Sequence, residues 1–365
     1  MTEQTQGKTA LVVGSTGITG GNLAAHLSAT GWEVLGLARR PGKLPGITPV
    51  AADLTNRASV VTALRNLAPT HVFYGTWLRN DTEAENVRVN GGMMQTLFDA
   101  LAETGAPIQH AALVTGTKQY LGPFEAYGQT AAETPFREDN PRLPGLNFYY
   151  TQEDILFAAA ARSGFTWSVH RPHSIVGFAV GNAMNMGVTL AVYATLCREY
   201  GEPFVFPGSH FQWNAITDVT DARLLARHLA WAATTPAAAN TAFNIVNGDV
   251  FRWRWLWSQL AAYFGVEPQG PPVADGTNDG RDLLTPKLAV AGERWSAIAA
   301  KYGLAEPNMD ALASAWHTDG DLGRELECLN DMHNSRVRGF TEYQPTLASF
   351  TELFDELRAR KLIPA

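Results

Sequence analysis

The sequence predicts an α/β protein, a doubly wound parallel sheet with a smaller, mostly helical C-terminal lobe. Three observations carry this. Short apolar runs alternate with helical patterns through the first half, and a glycine-rich turn joins the first run to the first helix. Beyond about residue 179 the pattern loosens and becomes rich in helices and tryptophan. Strands covered on both faces need unbroken apolar runs, and the runs here have that form.

TALVVG (9–14) reads as the first strand and NLAAHLSATG (22–31) as a helix stopped by Gly31. WEVLGLAR (32–39) is the second strand. ITPVAADL supplies the third, followed by a helix around ASVVTALRNL and the strand THVFYGTW (70–77). A helix through NVRVNGGMMQTLFDALAETG leads to the strand IQHAALVTG (108–116), and FTWSVHRP (165–172) is a further strand. Between these two, NFYYTQED (147–154) opens a helix that Asn147 can cap and ILFAAAAR continues. Later, MGVTLAVYATLCREYG, NAITDVTDARLLARHLAWAAT, RWRWLWSQLAAYFG and TLASFTELFDELRARKLIP read as helical, and FVFPGS as extended. Helical spacing makes core packing the default for the tryptophans of FRWRWLW. EPQGPPVADGTNDGR (267–281) reads as a long exposed loop.

The 365 residues are 45% hydrophobic and 17% charged, so a sizeable core is expected and extended disorder is not. A net charge of −7 without a basic block argues against nucleic acid as a partner. Two cysteines, Cys197 and Cys328, cannot build a disulfide framework or a cysteine-ligated zinc site, and no metal is expected. The polar start MTEQTQGKT has no apolar signal core, and no run reaches membrane-spanning length. A cytoplasmic protein with no membrane partner is the expectation.

GSTGITG (14–20) places Gly14, Gly17 and Gly20 as G-x-x-G-x-x-G at the first strand–helix junction. There the backbone approaches a pyrophosphate and the helix N-terminus offers free amides. Gly14, Thr16, Gly17, Ile18 and Gly20 are therefore candidate dinucleotide contacts in a Rossmann-type core. Arg39 and Arg40 end the second strand, where an NAD-selective site would place a carboxylate. Two guanidiniums suit a 2′-phosphate, so NADPH is preferred over NADH. Asp53 and Leu54 end the third strand, where such folds often contact the adenine, although an Asp there is also a common helix cap. Thr76, Val114 and Ile175 follow other strand ends and are expected to wall the same crevice, as is Trp77 on the substrate side. The expected division is 8–178 as the NADPH-binding core and 179–365 mainly as a substrate lobe. Segments around 208–248 return to the core in this reading.

HVFYGTW (71–77), LVTGTKQYLGPF (113–124), NFYYTQED (147–154), WSVHRPHSIVGF (167–178) and FNIVNGDVFRW (243–253) occur in that order. Together they resemble the progesterone 5β-reductase/iridoid synthase-like enone reductases, an extended branch of the short-chain dehydrogenases. The resemblance also takes in VYATLCREYGEPFVFPGS and the C-terminal tail, and so spans nearly the whole chain. In most short-chain dehydrogenases a lysine follows the tyrosine by four residues. Four after Tyr149 is Glu153, and four after Tyr150 is Asp154. The resemblance implies that the lysine has moved to the TGxK loop, as Lys118, and that Tyr149 is the catalytic tyrosine. Tyr149 and Tyr150 point about 100° apart on a helix, so only one can face a nicotinamide. The spacing of Tyr149 to RPHSIVG fits that of the family, so the resemblance implies Tyr149, with Tyr150 packing against core or a neighbouring loop.

The implied activity is NADPH-dependent 1,4-reduction of the activated C=C bond of a small-molecule enone or enal. Hydride adds to the β-carbon, charge accumulates on the carbonyl oxygen, and the Tyr149 phenol stabilises it there. Lys118 would favour the charged side of that reaction and could touch the cofactor's ribose or the tyrosine. His173 departs from the family pattern, which has a small residue near this point; a structural hydrogen bond is the reading preferred over a contact to carboxamide or substrate. Met184, Asn185, Met186, Phe340 and Tyr343 are candidates to line an apolar substrate pocket. A nucleotide-sugar epimerase would need Y-x-x-x-K and usually NAD. A carbonyl reductase would use the same hydride and phenol, and a regulatory NADP-binding relative would lack the tyrosine and lysine. A homodimer is compatible with the sequence.

Overall fold

The computed structural model describes residues 7–122, 133–182, 184–274 and 280–365. Pro123 and Phe124 of the LVTGTKQYLGPF motif, and residues 275–279 of the expected long loop, lie outside the described residues. The first half runs β1 (Thr9–Val13), α1 (Ile18–Ala29), β2 (Glu33–Ala38), β3 (Thr48–Ala51), α2 (Arg57–Leu64) and β4 (His71–Tyr74). It continues through α3 (Glu83–Glu103), β5 (His110–Val114), α4 (Lys118–Leu121), α5 (Phe148–Ser163) and β6 (Thr166–Pro172). Next come β7 (Ile175–Val176), α6 (Met186–Tyr200), β8 (Phe204–Val205), α7 (His210–Asn214), β9 (Thr220–Asp221), α8 (Ala222–Thr234) and β10 (Thr241–Ile245). The chain ends with α9 (Trp253–Phe264), β11 (Pro268–Gln269), α10 (Leu284–Ala289), α11 (Gly292–Tyr302), α12 (Ala315–Leu322), α13 (His333–Val337) and α14 (Thr346–Ala359).

Seven parallel strands form the sheet in the order β3-β2-β1-β4-β5-β6-β10. The direction of winding reverses between β1 and β4, which opens a crevice beyond their C-terminal ends. Alternation along β1 serves both faces. Leu11 and Val13 pack in one core with Leu97 of α3 and Leu156 of α5. Ala10 and Val12 pack in the other with Leu23 of α1 and Leu225 of α8. α3 and α5 approach closely at Gly91, where a Cβ would lie 2.9 Å from the Thr151 methyl.

A third core fills the C-terminal lobe. Trp253 and Trp257, four residues apart on α9, are buried in it, whereas Trp255 faces out. The Trp257 ring stacks on Phe204 at 3.8 Å, and its indole N–H donates to the Phe204 carbonyl. Cys197 and Cys328 are buried free thiols. Among the described residues no helix is long and apolar enough to cross a membrane.

Several elements differ from the sequence reading, and Pro268–Gln269 within the expected long loop pairs as β11 with β8. α1 begins at Ile18 rather than at Asn22, so Gly20 and Gly21 lie within its first turns. α8 begins only at Ala222, capped by Asp221, whose carboxylate accepts from the Arg223 amide. The β-branched residues before it favour extended backbone, and Thr220–Asp221 pairs with β7.

A buried neutral chain crosses the sheet. His110 Nε2 meets Ser168 Oγ at 2.9 Å, and Ser168 meets His170 Nε2 at 2.8 Å. His170 Nδ1 then meets His228 Nδ1 at 2.8 Å, and His228 Nε2 meets Ser335 at 3.0 Å. Burial pushes His110 and His228 down to about 3 and His170 well below its ordinary value.

Candidate active site

The glycine turn is shaped by contacts that only missing side chains allow. At Gly14, with φ +88°, a Cβ would lie 2.8 Å from Thr76 Cβ. At Gly20 it would lie 2.2 Å from the Gly14 carbonyl oxygen, so Gly20 lets α1 pack onto the turn rather than facing a ligand. Gly14, Thr16, Gly17, Ile18, Thr76, Val114 and Ile175 line one cleft of about 550 Å³. Trp77, Lys118, Tyr149 and Met184 line it too. Arg39 joins this cleft to a second cavity of about 590 Å³, lined also by Arg40 and Asp53. The Asp53 carboxylate accepts from the Thr55 amide and hydroxyl, which, with Arg39 nearby, hold its pKa below the usual range. Leu54 sits instead in the core beside β1 and β2, turned away from the cavity by its apolar contacts.

Three elements position the phenol. Asn147 caps α5 by accepting from the Tyr149 amide at 3.0 Å, and its own amide donates to the Lys118 carbonyl at 3.0 Å. Lys118, 4% exposed, forms an ion pair with Glu83 at the start of α3. The other Glu83 oxygen accepts from the Phe148 amide at 2.8 Å. One carboxylate thus joins α3, α4 and the first turn of α5. Burial, and then the negative charge of Glu83, raise the Tyr149 pKa above its ordinary value. The phenol stays protonated at neutral pH. Gly116 leaves space in front of it: a Cβ there would lie 3.7 Å from the Tyr149 hydroxyl and 3.3 Å from the Pro172 carbonyl.

Tyr150 points elsewhere. Its hydroxyl donates to the Gln119 carbonyl at 2.8 Å and accepts from the Leu143 amide at 3.0 Å. The positions four residues after the two tyrosines carry carboxylates that face arginines. Glu153 pairs with Arg171 at 3.1 Å and Arg142 at 2.9 Å, and Asp154 pairs with Arg142 at 2.8 Å. Gln152, three residues after Tyr149, lines the cleft instead.

Residues 52–364 fit the model of the PRISE-like Rossmann-fold domain. The chain belongs to the PRISE-like family. It is 38% identical to an (S)-8-oxocitronellyl enol synthase of Nepeta cataria, over 97% of this chain and 93% of that one. It is 37% identical to a 3-oxo-Δ4,5-steroid 5β-reductase of Arabidopsis thaliana, with the same coverage of 97% and 93%. Among solved structures, the UDP-glucose 4-epimerase of Thermotoga maritima shares the fold with a TM-score of 0.66. It is 14% identical, over 96% of this chain and 99% of that one. The enzyme WbmH of Bordetella bronchiseptica, solved with NAD+, gives a TM-score of 0.62 at 14% identity, over 96% and 98%.

Within this PRISE-like chain several expected pocket residues lie elsewhere. Phe340 is 3% exposed and packs edge-on to His228 at 4.6 Å, under the sheet, because an aromatic ring in the tail fills the core there. Tyr343 is 68% exposed, on a surface turn beside Gly248. Asn185 is buried and caps α6, accepting from the Val188 amide, and Met186 belongs to the lobe core. Residues that the sequence reading missed are Glu83, Gly116 and Gln152, and a charged group formed by Arg79, His317, Asp321 and Arg324. Only Gly116 had a local signal, from its place in TGTK. His173 is buried, with Nδ1 at 2.8 Å from Asp218 and Nε2 at 3.1 Å from Arg324. The Asp218 contact is a structural hydrogen bond that ties the imidazole into the core.

Proposed function

We propose that this protein is an NADPH-dependent reductase of activated C=C bonds, acting on an enone or enal. The names of the relatives support the class, since one reduces a 3-oxo-Δ4,5-steroid and others are enol synthases. The observation that carries it is the Tyr149 phenol on the cleft wall, with Tyr150 turned away.

The turn 14–18 fits a pyrophosphate, since a Cβ at Gly17 would occupy the space between the Gly14 carbonyl and Asn182. Arg39 and Arg40 suit a 2′-phosphate at the second cavity, which is the basis for NADPH. When bound, NADPH supplies a hydride to the β-carbon of the substrate. The π electrons of the C=C bond then move toward the carbonyl oxygen. Tyr149 donates its hydrogen bond to that oxygen as negative charge develops. Its raised pKa keeps it a donor rather than a phenolate. Lys118, held by Glu83, places a positive charge behind the first turn of α5. Protonation of the enolate completes the saturated carbonyl product. In this reading 8–178, with the returning β10, holds the nucleotide, and 179–365 mainly shapes the substrate end.

The test is NADPH oxidation with 2-cyclohexen-1-one, with product identification and a parallel run with NADH. A saturated ketone and an NADPH preference are expected. An allylic alcohol would make the protein a carbonyl reductase, and tight NADPH binding without turnover of any enone or enal would make it a regulatory binder.

A further inference from the structure

α5 offers the cleft a second polar group, one helical turn beyond the phenol. Gln152, three residues after Tyr149, lines the cleft although it is only 1% exposed. Its amide nitrogen has no hydrogen-bond partner among the described residues. The next position, Glu153, is turned away onto Arg171 and Arg142. A buried donor left unmatched is costly, and native proteins keep few of them without a water, a ligand or a catalytic use.

A neighbouring group at the end of β4 shares the feature. The Tyr74 hydroxyl is buried without a hydrogen-bond partner among the described residues. Burial raises its pKa, and the Gln152 amide nearby opposes that rise. An amide nitrogen carries two N–H groups, so a turn of Gln152 toward the Tyr74 oxygen would occupy one and leave the other for the cleft. Tyr74 also locates the amide. It immediately precedes Gly75 and Thr76, which line the cleft, and a Cβ at Gly14 of the glycine turn would lie 2.8 Å from Thr76 Cβ. Gln152 thus reaches from the helix of the phenol toward the strand end that abuts the glycine turn.

The order of groups along a dinucleotide then matters. Its pyrophosphate fits the turn 14–18, and its nicotinamide must face Tyr149 for hydride and hydrogen bond to meet on one substrate. The part that lies between those two is a ribose. A ribose is uncharged, and each of its hydroxyls both donates and accepts. A neutral carboxamide matches it in the same two ways, where a phosphate would call for a cation. The substrate's carbonyl oxygen already has the Tyr149 donor. We propose that Gln152 holds the nicotinamide-side ribose of the dinucleotide, its amide hydrogen-bonded to a hydroxyl of that sugar. The inference rests on the NADPH part of the reductase reading, and not on which bond is reduced.

The experiment is calorimetric titration of NADP+ and of adenosine 2′,5′-bisphosphate into the full chain and into its Gln152→Met variant. The bisphosphate carries the 2′-phosphate but no nicotinamide riboside. The variant is expected to bind NADP+ about tenfold more weakly and the bisphosphate as the wild type does. Without ligand it should melt at or above the wild-type temperature, because methionine replaces a buried donor that has no partner. Gln152→Asn, one methylene shorter, should weaken NADP+ in the same selective way, and it reads the site where the methionine variant does not fold. Unchanged NADP+ affinity overturns the proposal alone, with the reductase reading intact if 2-cyclohexen-1-one is still reduced. An equal loss for both ligands also overturns it, because the amide would then act through the fold. A selective loss in a protein that reduces no enone or enal supports the proposal and overturns the reductase reading. A wild-type chain that binds no NADP+ overturns both.

Discussion

Two polar networks run off β5 and β6, one inside the sheet and one at its C-terminal edge. Inside, His110, Ser168, His170 and His228 are joined without a formal charge. At the edge, Lys118 with Glu83 and Arg171 with Glu153 are buried ion pairs, and Lys118 itself lines the cleft. The difference follows from solvation. A lone charge within the sheet would have no partner and no water, so the imidazoles give up their protons. At the edge each charge has a counter-ion on another element, and the pairs fix how those elements meet. Charge is retained where a counter-ion can meet it.

The largest test of this contrast is acid. The folded pKa values of His110, His170 and His228 are depressed, so their contribution to stability is present above the unfolded value near 6.5 and is lost as pH falls. His110 and His228 each cost about 1.4 kcal/mol per pH unit below that value, together about 4 kcal/mol by pH 5, and His170 adds to the loss in the same direction. Melting temperature should therefore fall steeply from pH 7 to pH 5, and a flat profile would mean that the fold tolerates imidazolium. Next in size is Glu83→Gln, which leaves the Lys118 charge buried without its carboxylate. A loss of about 3–5 kcal/mol is expected in denaturant titration. A change below about 1 kcal/mol would show that the pair is effectively solvated.

The adjacent tyrosines sharpen the same contrast. Tyr149→Phe should lower kcat by about a hundredfold, equivalent to about 3 kcal/mol of barrier. Tyr150→Phe should instead cost about 1–2 kcal/mol of stability, through the Gln119 and Leu143 bonds, with a much smaller effect on kcat. An exchange of these phenotypes would exchange the roles. The smallest expected effect is at the nucleotide end. Arg39→Ala should reduce the ratio of kcat/KM for NADPH over NADH by about tenfold, and an unchanged ratio would remove Arg39 from the phosphate site.

What could be read from the sequence follows from how local each feature is. The glycine turn is a backbone requirement of seven consecutive residues, so its pattern is complete in one place. The Asn147 cap is local in the same way. Lys118 had no local signal, and only the resemblance pointed to it. Phe340 and Tyr343 show the opposite limit: an apolar or aromatic residue in a helix-rich tail carries no mark that separates pocket from core or surface. Arg79 and Arg324 line one cleft from elements about 240 residues apart in sequence, and neither position looks unusual alone. The alternative of a nucleotide-sugar enzyme had its discriminator at position 153, where Glu153 faces Arg171.

Glu83 also constrains how this protein can change over generations. The same carboxylate holds Lys118 on the cleft wall and the first amide of the helix that bears Tyr149. A substitution that retunes the charge near Tyr149 therefore also loosens the mount on which Tyr149 stands. The two contacts of this carboxylate cannot be altered one at a time.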